Sequence, residues 1–488
     1  MLRCVDKYNV KQFFRCNTTV MSATFDEAMG RWLTVLRGPD PSNPGQQATT
    51  VVRSRFIVSA TGQLNVPKVM LVLLGWGTWQ HFDACLGADA HIPRPGHVGS
   101  AVVAHSALGS QRYAGVECRL IPELLIVVRA AHDAGQVDGK TVAIIGNGAS
   151  AVQCVEGLYK RVKQLYIFQR SPKWILKRPI EQLPWLLLMM ALHVPFMLWI
   201  MRCVPPWLHR AVVVSIPLTR GTVRCFVFLY QEVFHVILAS NGCCARRCNR
   251  RLAAKMNHRL GTAARGLIPS TPAGCSRVII ESCYTAALQA PNVEVVSVGG
   301  PTKRVRMNRT GVEVETAAGD GEAPTVRRFK VDCVVYATGF QMNNCIPGFP
   351  IIGRGGRRLA DAWKRSPEAY LGVFASDFPN AFFLYGPNTN TIAGSISFFT
   401  ECGVNLICKA VALTMRRGPK ATIEVKPAVV QAYNRRLDTI MATRPESGDC
   451  SSWYKNKEGR VTQNFPGTMT FYWWLTRTLR KSDFNVVA

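Results

Sequence analysis

The sequence predicts an α/β fold organised around parallel strands, and three observations predict it. The first is a strand–turn–helix–strand run, Lys140-Thr-Val-Ala-Ile-Ile145, then Gly146-Asn-Gly148-Ala-Ser-Ala151, then Leu165-Tyr-Ile-Phe168. The second is a pair of apolar strands that both end in Ala-Thr-Gly: Phe56 to Ala60-Thr61-Gly62, and Cys333 to Ala337-Thr338-Gly339. The third is composition. At 488 residues with nearly half of them hydrophobic, the chain is long enough for two or three domains with ample core.

The run from Lys140 to Arg170 has the order and spacing of a dinucleotide-binding βαβ unit. Gly146 permits the tight turn, and Gly148 lets the backbone approach a pyrophosphate. Ala151, in the third place of the motif, keeps the helix close to the sheet. The pyrophosphate would sit on the helix N-terminus, where free amides and the helix dipole favour anions. The expected cofactor contacts are Gly146, Asn147, Gly148, Ala149, Ser150, Ala151 and Gln153.

The end of the second strand bears on which dinucleotide binds. An NAD site usually places Asp or Glu there to bond the ribose hydroxyls. This chain has Gln169, Arg170 and Ser171. A carboxylate would repel a 2′-phosphate, whereas a guanidinium pairs with it. Arg170 and Ser171 therefore point to NADP; the alternative is a solvated arginine in an NAD site of unusual type. The two Ala-Thr-Gly runs are small-residue turns at strand ends, where backbone can come close to a nucleotide or a crossing linker.

The formal charge of +29 suggests acidic partners. No nucleic-acid module accompanies it, and the bases are dispersed rather than interleaved with stacking aromatics, so nucleic-acid binding is not expected. The exception is Arg246, Arg247, Arg250, Arg251, Lys255 and Arg259, a run expected on a helix. The 17 cysteines lack regular spacing, which reads as mostly reduced thiols of an intracellular protein. Cys243, Cys244 and Cys248 have no partner pair at zinc spacing, so no metal is expected. No secretory signal opens the chain. Leu183 to Met201 carries no Lys, Arg, Asp or Glu but is broken by Pro184 and Pro195. Three readings stay open for it: a buried helical insert, an interfacial segment anchored by the basic run, and a true span.

Taken together these runs resemble the flavin-containing monooxygenase family, the FAD- and NADPH-dependent enzymes of the Baeyer–Villiger and related single-component type. The match extends in order along most of the chain. Trp32-Leu-Thr-Val followed by Phe56 to Gly62 looks like the end of the FAD domain, Gly146 to Arg170 like the NADPH domain, and Asp332 to Phe340 like the return strand. Leu359-Ala-Asp-Ala-Trp363, Pro367-Glu-Ala-Tyr370-Leu-Gly372, Phe378-Pro379-Asn380 and Gly386-Pro387-Asn388-Thr389 are similar to the family downstream. So are Cys450-Ser-Ser-Trp453-Tyr454, Gly459-Arg460 and Phe465-Pro466-Gly467.

The resemblance implies a two-dinucleotide-binding-domain flavoprotein fold, with a Rossmann-like NADP domain inserted in a truncated FAD domain. It implies FAD and NADP as cofactors, and transfer of one oxygen from dioxygen to a lipophilic ketone or soft N/S substrate through a flavin peroxide. Leu267 to Arg277 resembles the family's active-site loop and places Arg277 at the catalytic arginine, whose charge must be permanent. His105 is a remnant of the family's linker fingerprint, with Gly109 where Trp is expected. Ser276 stands where many members have a lysine that helps hold the 2′-phosphate. The family opens with its own glycine turn for FAD, and Met1 to Gly62 holds no such turn.

The expected organisation is a remnant of the FAD domain over 1–69 and an atypical linker over 70–137. The NADP domain follows over 138–332, with a helical apolar insert at 181–260, and then the return to the FAD domain over 333–488. The tail Phe471-Tyr-Trp-Trp474 is expected to pack rather than stack on bases. Two functional classes follow: a cytoplasmic monooxygenase, or an impaired NADP-binding relic without usable FAD. A third, a protein binding a membrane surface through 183–259, rests on the apolar insert and the charge.

Overall fold

A computed structural model describes residues 2–40, 43, 45–62, 125–126, 137–177, 243–261, 266–300, 303–308, 310–316, 324–340, 348–391 and 395–487. The stretch 183–242, on which the membrane readings rest, lies outside the described residues, as does most of the expected linker.

The centre of the first half is a five-stranded parallel sheet. Its order is Val293–Ser297, Gln164–Gln169, Thr141–Ile145, Cys333–Tyr336, Leu125–Ile126. Val142 and Ile144 face one side and Ala143 and Ile145 the other, all buried. Burial on both faces is the mark of a parallel sheet with a layer on each side. One layer is helical, from Ala149–Leu158, Cys243–Leu260 and Tyr284–Leu288, joined by Leu165 and Ile167. The other is an antiparallel three-stranded sheet, Lys303–Asn308, Gly311–Thr316 and Thr325–Lys330, which packs Val305, Val314 and Phe329 against Phe168.

Two boundaries differ from those expected. Cys333–Tyr336 pairs with Thr141–Ile145 through all four residues, so the Ala337-Thr338-Gly339 turn completes the first sheet instead of opening the second half. Leu125–Ile126, inside the expected linker, adds an edge strand to Cys333 and Val334. Both follow from satisfying the ladder of a buried parallel strand on each side.

The basic run does lie on a helix, Cys243–Leu260. Met256 and Leu260 are buried, Leu252 and Ala253 pack against the same core, and Arg247, Arg250, Arg251 and Lys255 are exposed. Arg259 instead turns inward and pairs with the buried Glu281, donating also to Thr285 Oγ1 at 2.7 Å.

The second half is built from an antiparallel meander, Thr19–Asp26, Arg31–Pro39 and Gln47–Ser54, extended by Ile351–Ile352. Buried Trp32 ties it down by donating to Pro379 O at 2.9 Å. Ile57–Ser59 pairs in parallel with Ala381–Phe383. The helix Ile396–Met415 packs Leu406, Ile407 and Ala410 against Phe382, Ile423 and Phe484. Its length and mean hydropathy of 1.5 would suit a membrane span, but the residues it buries belong to this core. In the aromatic tail, the helix Met469–Thr476 buries Tyr472 and leaves Trp473 and Trp474 about half exposed, so only part of that tail packs.

Candidate functional site

Thr141–Ile145 ends at Gly146, whose φ is +114°. A Cβ there would stand 2.4 Å from Ala337 O, so glycine is needed both for the turn and for the neighbouring strand end. Sequence reading treated these two motifs as separate; the pairing of their strands brings them into contact. Gly148 occupies the N-cap of the helix Ala149–Leu158, with no side chain capping it and open space where a Cβ would be. The first helical amides, from Ala149 and Ser150, therefore face an unobstructed approach. Ala151 is buried against the sheet, and Gln153 is exposed on the outer face. This is a cradle that a dinucleotide pyrophosphate fits.

Asn147 holds the turn to the next strand. Its Nδ2 donates to Gln169 Oε1 at 3.1 Å and to Ser171 O at 2.7 Å. Gln169 is buried, and Arg170 is exposed just beyond it. Arg170 Nη2 donates to Ser451 Oγ at 3.3 Å, a contact across 281 positions of sequence. The backbone here is closely packed: a Cβ at Gly299 would lie 1.8 Å from Arg170 O. Lys173 joins Asn147 and Gln169 in lining the adjacent cleft. Burial, and then the charge of Arg170, hold its ammonium below the usual lysine value. Sequence reading missed Lys173, since a single lysine after a strand carries no pattern.

Arg277 follows a loop that the structure pins at two points. Cys275 forms a disulfide with Cys450, with Cα atoms 6.2 Å apart. The expectation of mostly reduced thiols is thus corrected for one pair; Cys16, Cys154, Cys283, Cys333, Cys402 and Cys408 are outside any disulfide. On its other side the loop runs into the strand Ile279–Glu281, which pairs with Ile175–Lys177. Glu156 then anchors the turn after this strand. Its Oε1 accepts from the amides of Ser282, Cys283 and Tyr284 at 2.6, 2.9 and 3.1 Å.

Arg277 itself is exposed, next to buried Ser276. Burial pushes the Tyr454 phenol well above its ordinary value, and the charge of Arg277 opposes that rise. Behind Tyr454 lies a buried polar shell. Asn390 Nδ2 donates to Asn464 Oδ1 at 2.6 Å, and Tyr385 OH donates to Asn390 Oδ1 at 3.0 Å. Asn388 Nδ2 donates to Val461 O at 3.0 Å and to Asn464 O at 2.9 Å. Three buried polar atoms in this shell have no partner among the described residues: Asn388 Oδ1, Asn464 Nδ2 and Glu446 Oε2. Burial pushes Glu446 up to about 7, against the nearby Arg444.

The remaining expected residues fall apart from this cluster. Ala60-Thr61-Gly62 follows Ile57–Ser59 in the second half, on a different sheet from Ala337-Thr338-Gly339. Gly62 has φ +73° and open space around it. His105 lies outside the described residues. Among the described residues, no strand of the second half ends in a glycine turn that opens a helix. A cradle for a second dinucleotide pyrophosphate is thus not among them, although the orphaned atoms near Tyr454 leave hydrogen-bonding capacity for a polar ring system.

No family model matches the chain. It is 28% identical to the FAD-binding monooxygenase ktnD of Aspergillus niger, over 99% of this chain and 68% of that protein. It is 31% identical to a Baeyer–Villiger monooxygenase of Pseudomonas aeruginosa, over 72% of this chain and 60% of that one. A Baeyer–Villiger monooxygenase of Streptomyces coelicolor is 28% identical, over 72% of this chain and 61% of its own length. The chain thus spans roughly 60–68% of these curated relatives. Among solved structures, oxidised steroid monooxygenase bound to NADP superposes with TM-score 0.69 at 21% identity, covering 100% of this chain and 83% of the other. An open form of cyclohexanone monooxygenase gives 0.66 at 18% identity, with coverage of 100% and 83%. The α/β fold with two dinucleotide-binding halves is shared with them.

Proposed function

We propose that the chain is, like the FAD-binding and Baeyer–Villiger monooxygenases it resembles, a cytoplasmic enzyme that uses NADPH and FAD to oxygenate a small lipophilic substrate. The substrate class is a ketone or a soft nitrogen or sulfur centre, with dioxygen as the oxygen source. One observation carries this reading. The open glycine turn at Gly146–Ala151 and the loop bearing Arg277 are tied to the same C-terminal segment, through Arg170 to Ser451 and Cys275 to Cys450.

In this reading Gly146, Asn147, Gly148, Ala149, Ser150 and Ala151 hold the pyrophosphate of NADPH on the helix N-terminus, with Gln153 on the same first turns. Arg170 and Ser171 take the ribose end, where the guanidinium pairs with the 2′-phosphate. Arg277 presents a guanidinium suited to stabilising an oxyanion as it develops. Ala337-Thr338-Gly339 keeps the Gly146 turn in shape, Ala60-Thr61-Gly62 serves the flavin, and the resemblance gives His105 a catalytic role. Bound flavin supplies the redox chemistry that activates dioxygen. The NADP domain then covers 138 to 339, later by one strand than the sequence suggests.

The test is flavin occupancy of the purified chain. After incubation with FAD and removal of the excess, we expect a retained flavin band that NADPH bleaches without oxygen and that returns in air. Product analysis on a panel of ketones, amines and sulfides then assigns the substrate class. A second reading, an NADP-binding relic, is favoured by the missing second cradle among the described residues. NADPH binding without any retained flavin would establish it in place of the first.

A further inference from the structure

The disulfide between Cys275 and Cys450 joins the two loops on which the site depends. Arg277 follows Cys275 by two residues, and Ser451, which accepts from the Arg170 guanidinium, follows Cys450 directly. Upstream, the first loop is fastened to its own half. Trp174 Nε1 donates to Thr271 O at 2.8 Å, and Asn249 Oδ1 accepts from the Ala273 amide at 3.2 Å. Ser276 and Arg277 themselves make no hydrogen bond or ion pair among the described residues. The sulfur bridge is therefore what binds this stretch to the C-terminal segment. The Cα atoms, 6.2 Å apart, stand within the span that a disulfide closes without moving the backbone.

The two sulfurs differ in access. Cys275 is fully buried, whereas Cys450 is half-buried between exposed Asp449 and Ser451. An incoming thiolate reaches Cys450 Sγ and expels Cys275 as the leaving thiolate. The released sulfur has a partner in place: Gly448 O lies 3.6 Å from Cys275 Sγ and can accept from its S–H. The Lys455 ammonium donates to the same oxygen, and a cation there favours the departing thiolate. Six other cysteines among the described residues stay outside any disulfide. In a chain otherwise suited to a reducing compartment, a disulfide is commonly a redox sensor rather than a scaffold.

We infer that Cys275–Cys450 is a redox modification site: a dithiol reductant opens it, and the opened chain lets the Arg277 loop leave the C-terminal segment. One thiolate of the dithiol attacks Cys450 Sγ, the S–S bond breaks, and the Cys275 thiolate takes up a proton. The second thiolate of the reductant then attacks its own sulfur in the mixed disulfide. Cys450 leaves as a thiol, and the dithiol, oxidised by two electrons, leaves as a cyclic disulfide. The bonded chain is the working form and the opened chain the slack one. The effect on catalysis rests on the proposed role of Arg277; the opening of the loop does not.

The test is limited trypsin digestion of the 488-residue chain with and without dithiothreitol, alongside mass analysis of alkylated Cys275 and Cys450. Without reductant we expect both cysteines to resist alkylation. With dithiothreitol both should alkylate, and cleavage after Arg277 should quicken at least about tenfold, since proteolysis follows the opened population. Cleavage after the exposed Lys163, in the same half, should not change. Oxidised dithiothreitol should restore the slow rate, and Cys450→Ser should be cut fast under both conditions. Alkylation of both cysteines without reductant overturns the inference, as does a bond that dithiothreitol leaves closed in the folded chain. Reduction with no faster cut at Arg277, or with an equal rise at Lys163, overturns it too. Oxygenation is then assayed in both forms: a fall on reduction supports the inference, and an unchanged rate removes the bond's control of the site. Oxygenation absent from both forms, with the cleavage response intact, sinks the monooxygenase reading and leaves the control of the loop supported.

Discussion

The parallel sheet around Gly146 and the C-terminal shell around Asn388 and Glu446 treat polar groups in opposite ways. At Gly146 the polar groups belong to the backbone. They are helix amides opened by two glycines and left uncapped, above a sheet whose buried core is largely apolar. In the shell they belong to side chains. Asn388, Asn390, Asn464 and Glu446 are buried together, and among the described residues three of their polar atoms lack partners. The shell also bends its backbone to do this. Leu371, Tyr385 and Asn388 all have φ between 53° and 58°, a region that costs a residue with a Cβ about 1–2 kcal/mol. A hydrogen bond from Tyr472 OH to Leu371 O at 2.8 Å helps to hold one of these. The first region is built from local sequence and recognises an anion by shape. The second is assembled from distant segments, and its exposed product is the setting of Arg277.

Gly146→Val strikes hardest at the first region. The new side chain meets Ala337 O at a φ closed to valine, so we expect loss of NADP⁺ and 2′,5′-ADP binding and unfolding several degrees lower, a cost of at least about 3 kcal/mol. Calorimetry and thermal unfolding check it; near-normal binding would break the contrast. Arg277→Ala strikes the product of the second region. Oxygenation of a turned-over substrate should fall by about 10²–10³, while NADP⁺ binding stays within twofold. Undiminished oxygenation would remove Arg277 from the chemistry.

Cys450→Ser cuts the tie between the two regions. A cross-link between residues 175 apart contributes about 2–4 kcal/mol, and chemical unfolding should show a loss in that range. The serine variant should also lower the affinity for 2′,5′-ADP, since Ser451 is no longer held against Arg170. Glu446→Gln tests the shell by pH. Its folded value of about 7 lies above the ordinary 4.5, so the folded state keeps a proton that the unfolded chain has lost. The native form is therefore fully favoured below about 4.5, and that advantage is lost as pH rises through about 7. Across this window the unmodified chain should lose on the order of 3 kcal/mol that Glu446→Gln does not lose. Parallel pH profiles for both proteins would refute the buried carboxyl. Gly62→Ala should do least, about 1 kcal/mol, because only its φ of +73° resists a side chain.

What the sequence reveals follows the same division. The Gly146–Ala151 turn, its flanking strands and Arg170 are legible because backbone sterics and strand alternation act over a few residues. The family resemblance extends this to the order of the halves. The contact of Gly146 with Ala337 is not legible, since it arises from pairing of strands almost two hundred positions apart. The Cys275–Cys450 bond is hidden for the same reason: seventeen cysteines offer too many pairings, and composition pointed to free thiols. Glu446 looks like an ordinary surface acid until the fold buries it, and Lys173 joins Asn147 and Gln169 only once the fold forms their cleft.

The most direct measurement of this account is a calorimetric titration of NADP⁺ into the purified 488-residue chain with no FAD added. A complete first region predicts saturable binding at one site per chain, weakened in Gly146→Val. No heat of binding in the unmodified chain, or binding that survives Gly146→Val unchanged, would contradict it.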